Sequence, residues 1–533
     1  EDALHQRAEI PLWHDLLSAG LAVGLTLELN RRSSGWVMPI LGLLFSAYVL
    51  GLGRWFEGGL YFRGFSLTRY LYRMYFTDEG LFGTIASISS TYVFIFVLFA
   101  AFLQVSGASK FILRVAQRLL GKVTGGPGLM AVMASGLMGT ISGSAIANTV
   151  ATGSITIPLM KKVGFKPTFA AAVETAASTG GQLIPPIMGA GAFIMAEWTG
   201  LPYSTIVQVA FLPALLYFAS VGFHVYLEAK KNGLQPVTQA EDQTSWPDIW
   251  REGLHFILPF TLLVVLLILG YTPTLAAGLG TLAVVLTSQL TRQHRMGWRD
   301  ILASLEAGSR NMVVTGLLLV AAGLIVGCLA MSGLSISFSQ LLLGWSGGSI
   351  WLALGLVALA SLVLGMGLPV TAAYLMLAIL AAPTLEQLGL PLLSAHLIIF
   401  WLSQDANVTP PVCLAAFAAA GIAGASPLKT GLQSWKIAKG MYVIPLLFAF
   451  TPLLEGDLAA RCLTFFFALP GLLGLTTLLS GYWFGTLSWT GRALGAGLGL
   501  ACLFPSLYLQ VSGLIALLVW GWWRSRRHTS AQG

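Results

Sequence analysis

Apolar runs of bilayer-crossing length alternate with short polar connectors along nearly the whole chain. Residues 13–29 and 36–53 are each long enough to span if tilted or slightly short, with Arg31 and Arg32 expected in the tight turn between them. Further spans are expected at 81–106, at 203–227, twice within 254–290, and at 311–332, 349–364 and 441–454. Three more, at 459–480, 486–503 and 506–523, close the chain as a peripheral addition. The stretch 60–76 differs, because Arg63, Arg69 and Arg73 alternate with Tyr, Phe and Leu. Arg69, Tyr72 and Arg73 share one helical face and Leu67, Leu71 and Met74 another, the pattern of a helix lying in the interface plane. A basic amphipathic piece comes next, from Lys110 to Lys122. The most polar stretch, 228–252 with Lys230, Lys231, Glu241 and Asp242, reads as a soluble loop between two halves.

Two apolar stretches carry the wrong contents for plain spans. Residues 126–160 and 167–197 hold Gly, Ser, Thr, Asn, Gln, Glu and a Pro-Pro pair. In lipid every backbone N–H and C=O must be satisfied internally, so a broken segment at membrane depth must face protein or an aqueous cavity. The first stretch reads as a re-entrant hairpin and the second as a broken helix. A second copy is expected at 365–390 and 394–422. Pro158, Gly164, Ser178, Pro185 and Pro186 recur, each 225 residues later without gaps, as Pro383, Gly389, Ser403, Pro410 and Pro411. Paired interrupted segments in two halves point to a secondary-transporter binding site. The expected fold is all-α and polytopic, with repeats over about 126–200 and 351–425.

The composition agrees with a membrane location: 56% of residues are hydrophobic and 9% charged, against about 25% charged in an average soluble domain. The formal charge of +8 resides in short inter-span loops, as topology demands, and no nucleic-acid motif accompanies it. Cys328, Cys413, Cys462 and Cys502 stand alone in apolar segments and read as small hydrophobes. No HExxH, GxSxG or phosphate-binding loop occurs, which argues against an intramembrane enzyme or an ATPase. The chain begins with Glu and shows no signal-peptide pattern, so a longer parent chain is expected.

The first hairpin supplies oxygen ligands of the kind hard cations prefer. Thr140 and Ser142, with the carbonyl of Gly143, are candidates for holding sodium, joined by Gly180 and Gly181 in the broken helix. Helix packing through small residues is the competing explanation. In the second half Gly365, Gly367, Thr371 and Asp405 are the corresponding cation candidates. Pro369 and Ala373 replace Ser144 and Asn148 there, so backbone carbonyls must contribute more. Ser144, Asn148, Gln182, Asp405, Asn407 and Thr409 are the candidates for substrate. Gln182 and Asn407 occupy the same repeat position. A carboxylate at bilayer depth costs roughly 2.5–3.5 kcal/mol even on the lenient insertion scale, which singles out Asp405. Glu174, Asp405 and His396 are the groups that could carry protons instead of sodium. Glu197 reads as a helix-end acid.

The phrases ISGSAIANTVATGSITIPLMKKVGF and AASTGGQLIPP resemble the large membrane subunit of TRAP (tripartite ATP-independent periplasmic) transporters, and within them the TAXI branch, whose small and large membrane subunits are often fused. The resemblance covers about residues 50–455. It implies an elevator-type carrier, usually sodium-driven, taking up a small organic anion from a TAXI-type periplasmic binding protein in the bacterial inner membrane. It also implies that residues 1–80 are small-subunit-like with an interfacial arm helix, that 81–455 hold the transport and scaffold region, and that 456–533 are additional. Sodium ions are the only expected cofactors. A proton-coupled transporter of the same fold is the alternative, and a channel is a weaker one. Trp520, Trp522 and Trp523 followed by Arg524, Arg526 and Arg527 place the C-terminus in the cytoplasm by the positive-inside pattern.

Overall fold

The computed structural model describes residues 10–235, 245–290, 294–365 and 368–530. Among them the named elements are helices. α1 (Trp13–Ser34) and α2 (Val37–Leu50) form the first pair. Arg31 and Arg32 close the last turn of α1 rather than filling the turn after it, because both pair with Glu28 one helical turn back. α3 is only Leu67–Phe76, started by Ser66, whose hydroxyl accepts the Arg69 N–H. Its packed side is Tyr70 and Met74, while Leu67 is 59% exposed. This corrects the expected Leu67/Leu71/Met74 face: the Tyr70 hydroxyl meets the buried Ser46 hydroxyl at 2.7 Å and turns the helix.

α4 (Thr84–Val105) contains a π-turn at Ser89–Val93, and α5 (Ala108–Leu120) is the basic amphipathic piece. The first hairpin is α6 (Gly126–Ser142) and α7 (Ala145–Lys162). Gly143 at its tip has φ +62°, a conformation only glycine adopts freely. The first broken helix is α8 (Pro167–Gly180) and α9 (Ala190–Thr199). α10 (Tyr203–Lys231), α11 (Trp246–Ile268) and α12 (Pro273–Ser288) come after it. The polar connector is shorter than expected because α10 absorbs Lys230 and Lys231; Glu241 and Asp242 lie outside the described residues.

The second half departs from expectation in two places. The run at 311–332 is the end of a 35-residue helix, α13 (Trp298–Ser332), whose polar first turns precede the apolar part. Gly333, with φ +65°, then turns the chain into α14 (Leu334–Ser346), which hydropathy alone does not mark. The expected span at 349–364 is instead the first arm of the second hairpin, α15 (Ile350–Leu364), with α16 (Val370–Gln387) as the second arm. The hairpin therefore runs over 350–387, not 365–390. α17 (Leu392–Leu402) and α18 (Leu414–Ala423) form the second broken helix. α19 (Pro427–Ile437) and α20 (Gly440–Phe450) stand where α10 is continuous in the first half. α21 (Leu458–Ser480), α22 (Trp489–Leu503) and α23 (Leu507–Ser530) complete the chain.

Six helices among the described residues are long and apolar enough to cross a membrane. The two broken helices are interlaced: α8 packs against α18 and α19, and α9 against α16 and α17. Alanine permits this close approach, and every side chain from Phe169 to Gly180 is buried. The long helix α13 packs on α1, α2 and α4.

Candidate functional site

Each hairpin tip and each helix break ends at one cavity of roughly 390 Å3. Its wall includes Ser142–Ala145 from the first tip and Leu368–Ala372 from the second. Gln182, Gly189 and Ala190 come from the first break, and Asn407 and Leu414 from the second. Four helices thus begin at this wall: α7 at Ala145, α9 at Ala190, α16 at Val370 and α18 at Leu414. The first N–H groups of a helix lack intrahelical partners and carry partial positive charge. Pro185–Pro186 and Pro410–Pro411, both cis, precede the starts of α9 and α18. Met188 and Cys413, 225 residues apart, both adopt positive φ there, which non-glycine residues rarely do. No charged side chain lines the cavity among the described residues. Ser33 and Ser34 of α1 and Thr315 of α13 complete its polar wall; hydropathy patterning did not single them out, since they sit on helices outside the hairpins and breaks.

The predicted residues separate into three groups. Ser142, Gly143, Ser144, Gln182, Thr371 and Asn407 line the cavity. Gln182 donates from Nε2 to the Gly143 carbonyl at 2.6 Å, tying the first break to the first tip. The Ser144 hydroxyl caps α7 by accepting the Ala147 N–H. Thr140, Asn148, Gly365 and Asp405 lie buried outside the lining set. Asn148 donates from Nδ2 to the Ser135 carbonyl at 2.7 Å, and Gly365 lies against Ala406 and the Asp405 carboxyl. Thr409 turns away, its hydroxyl meeting that of Tyr442. Gly367 lies outside the described residues.

Gly180 and Gly181 take a different part from that expected. α8 runs through Gly180, and the chain departs only after a short 3-10 turn at Gly181–Leu183. Gly180 faces the Tyr217 ring, and a Cβ on Gly181 would stand 2.5 Å from the Gly139 Cα. These glycines let backbones touch.

Buried polar atoms without a protein partner cluster near the breaks and hairpins. In the first half they are Thr140 Oγ1, Asn148 Oδ1, Thr149 Oγ1 and Gln182 Oε1. In the second they are Ser361 Oγ, Trp401 Nε1, both Gln404 side-chain atoms, Asp405 Oδ1 and Asn407 Nδ2. Buried polar groups are normally hydrogen-bonded, so these atoms are where a small polar ligand, ion or water would find a partner. His396 is not among them; its Nδ1 pairs with the Tyr374 hydroxyl at 2.9 Å. Glu197 is exposed.

Residues 21–454, well over half the chain, match the family described as the DctM component of the tripartite ATP-independent periplasmic transporters. The chain belongs to that family. Within the DctM family, the C4-dicarboxylate TRAP transporter large permease DctM of Rhodobacter capsulatus is 24% identical over 395 residues, covering 71% of this chain and 86% of that protein. The 2,3-diketo-L-gulonate TRAP transporter large permease YiaN of Escherichia coli is 23% identical, covering 60% and 74%. The isethionate TRAP transporter permease DctMQ of Oleidesulfovibrio alaskensis is 25% identical, covering 62% and 52%. Among solved structures, the YdaH transporter of Alcanivorax borkumensis aligns with a TM-score of 0.51 at 16% identity, over 69% of this chain and 88% of that one, which speaks to the fold alone. These DctM-type relatives are transport permeases, not enzymes.

Proposed function

We propose that the chain is the membrane permease of an ion-coupled secondary transporter that takes up a small organic anion. The observation that carries this reading is the convergence of four helix starts on a cavity whose described wall has no charged side chain. Such a site attracts an anion through backbone dipoles and leaves the remaining charge to be balanced by a co-transported cation. The relatives' names refer to C4-dicarboxylate, isethionate and 2,3-diketo-L-gulonate, which favours a small organic acid here. Ser144, Gln182 and Asn407 hold the anion, with Asn148 behind them. Sodium ions are the proposed coupling ions, with Thr140, Ser142 and Gly143 serving one and Gly365, Thr371 and Asp405 the other. The hairpins and broken helices move as an elevator against α1, α2, α4 and α13. The substrate arrives on a TAXI-type periplasmic binding protein, and the chain resides in the inner membrane with its C-terminus in the cytoplasm. Residues 1–80 serve as the small-subunit part.

The test is uptake into proteoliposomes containing this chain, with the cognate binding protein, under separately imposed sodium and proton gradients. Accumulation that requires both the partner and a cation gradient supports the reading. Flux that only equilibrates substrate, indifferent to either gradient, identifies a channel and sinks it.

A further inference from the structure

One ionisable side chain in the first half takes no part in the cavity wall and is fully enclosed. Glu174 is 0% exposed in the middle of α8. Four hydroxyls from three helices surround its carboxyl. Ser135 of α6 meets Oε1 at 2.5 Å, Ser178 of α8 meets Oε1 at 3.1 Å, and Thr156 of α7 meets Oε2 at 2.5 Å. Thr152 of α7 also meets Oε1. Glu174 forms no ion pair among the described residues. Of the helices packed on α8, α6 and α18 carry no ionisable side chain. α7 carries Lys161 and Lys162, and α19 carries Lys429 and Lys436. α10 carries Tyr203, Tyr217, His224, Tyr226, Glu228, Lys230 and Lys231. Among the described residues the hydrogen-bond partners of the carboxyl are the four hydroxyls.

The surroundings suit a proton and not a metal ion. The carboxyl and hydroxyl oxygens face each other directly at 2.5–3.1 Å, a hydrogen-bond separation that leaves no gap for a cation with oxygen ligands at about 2.3–2.6 Å on opposite sides of it. A buried carboxylate without a cation is costly, whereas the neutral acid is not. Each hydroxyl owns one proton, and three of the four also face a second acceptor. Thr152 Oγ1 lies 2.7 Å from the Asn148 carbonyl, Thr156 Oγ1 lies 3.1 Å from the Thr152 carbonyl, and Ser135 Oγ lies 2.9 Å from Thr152 Oγ1. With a proton on Glu174, the acid donates to Thr152 or Thr156, which in turn donates to its helix carbonyl. Without that proton, the hydroxyls must all turn to the carboxylate. The same atoms thus serve two protonation states. The protonated acid joins the two arms of the hairpin, α6 and α7, to α8 without an enclosed charge, whereas the unprotonated one leaves a costly carboxylate buried in the same joint. Ser135, one of its partners, also holds Asn148 through its carbonyl.

We propose that Glu174 is a proton-binding site that couples proton binding to the clasping of the first hairpin, so that a proton crosses with the substrate. The proposal rests on the reading of the chain as an ion-coupled permease and adds a second coupling ion at a separate place. Two measurements on the full chain test it. The first compares uptake with and without an acid-outside gradient, in proteoliposomes with the binding protein. The wild-type ratio is severalfold above one and the Glu174→Gln ratio is one; equal ratios in the two proteins overturn the proposal. The second needs no transport: infrared spectra of the purified wild type contain a protonated-carboxyl stretch that Glu174→Gln removes and Thr156→Val displaces. If Glu174→Gln does not fold, the Thr156→Val displacement decides. Spectra without such a band overturn proton binding, and a band in a wild type that ignores the proton gradient overturns coupling. A wild type inert to every gradient instead overturns the permease reading, while the spectra still decide whether Glu174 holds a proton.

Discussion

At the 225-residue offset Glu174 corresponds to Ile399, and Asp405 corresponds to Gly180. Each half therefore buries one acid of its own, at a position where its counterpart has none. Glu174 has four hydroxyl partners, whereas Asp405, 2% exposed, keeps Oδ1 without a partner. Around Asp405 the unpartnered atoms continue through Gln404 and Asn407. The difference shows how the same helix scaffold handles a charge in two ways. A carboxyl whose lone pairs face the protein's own hydroxyls has no open position left for a metal ion. One left open in a low-dielectric site is costly to the fold, and the proposed cation is what would complete it.

The sharpest way to break this comparison is at the open acid. Asp405→Asn keeps the shape and deletes the charge. Contacts to a charged group are worth about 1.5–3 kcal/mol, so ion-driven uptake is expected to fall by about 10- to 100-fold. The sodium concentration for half-maximal uptake should rise in any residual activity. Uptake and sodium dependence unchanged in a folded protein would remove Asp405 from the site.

Backbone contact comes next. Gly181→Ala drives a methyl into Gly139, and overpacking of this kind costs about 1–3 kcal/mol, read as a lower unfolding temperature in detergent. Gly270→Ala, a surface control with nothing near its Cβ but a positive φ of +83°, should cost less. Smaller again is the contrast between the two breaks. Gln182→Ala removes the bond to the Gly143 carbonyl, worth about 0.5–1.5 kcal/mol, and should raise amide exchange at Gly143–Ala147. Asn407→Ala, whose Nδ2 has no protein partner, should leave exchange at the second tip unchanged. The smallest effect separates the matched serines. Ser178→Ala takes a donor from Glu174, while Ser403→Ala loses only a bond to its own helix carbonyl, Phe400 O. The first should displace the protonated-carboxyl band and the second should leave it in place.

Much of this architecture is legible in the amino-acid pattern. The recurrence of Pro158 and Pro383 marks helices that do begin and end in register, α7 ending at Lys162 and α16 at Gln387, and the two Pro-Pro pairs mark breaks whose helices match to within three residues. The features that escape are carried by residues that look ordinary one at a time. α15 is a plain Leu/Val/Ala run, so only the tip and second arm beyond it make it a hairpin arm. Ser135, Thr152 and Thr156 lie 39, 22 and 18 residues from Glu174, and only tertiary packing assembles them. A signal was available: Asn148, Thr152 and Thr156 recur every four residues, one polar stripe on one helix face. Ser33, Ser34 and Thr315 offered none, because a few lining residues on otherwise ordinary helices leave no periodic trace.

The interlacing of the broken helices has a consequence for how the protein is made. α8, α9, α17 and α18 are 14, 10, 11 and 10 residues long, well short of the roughly 20 that cross a bilayer alone. None of them can be inserted as an independent span, so each depends on neighbours already in place. For α8 those neighbours include α18 and α19, which leave the ribosome more than 200 residues later. At about 5–20 residues per second, the first half waits on the order of 10–50 s for its own lid. Throughout that interval the Ala-rich surface around Glu174 has to be sheltered by lipid or by the insertion machinery.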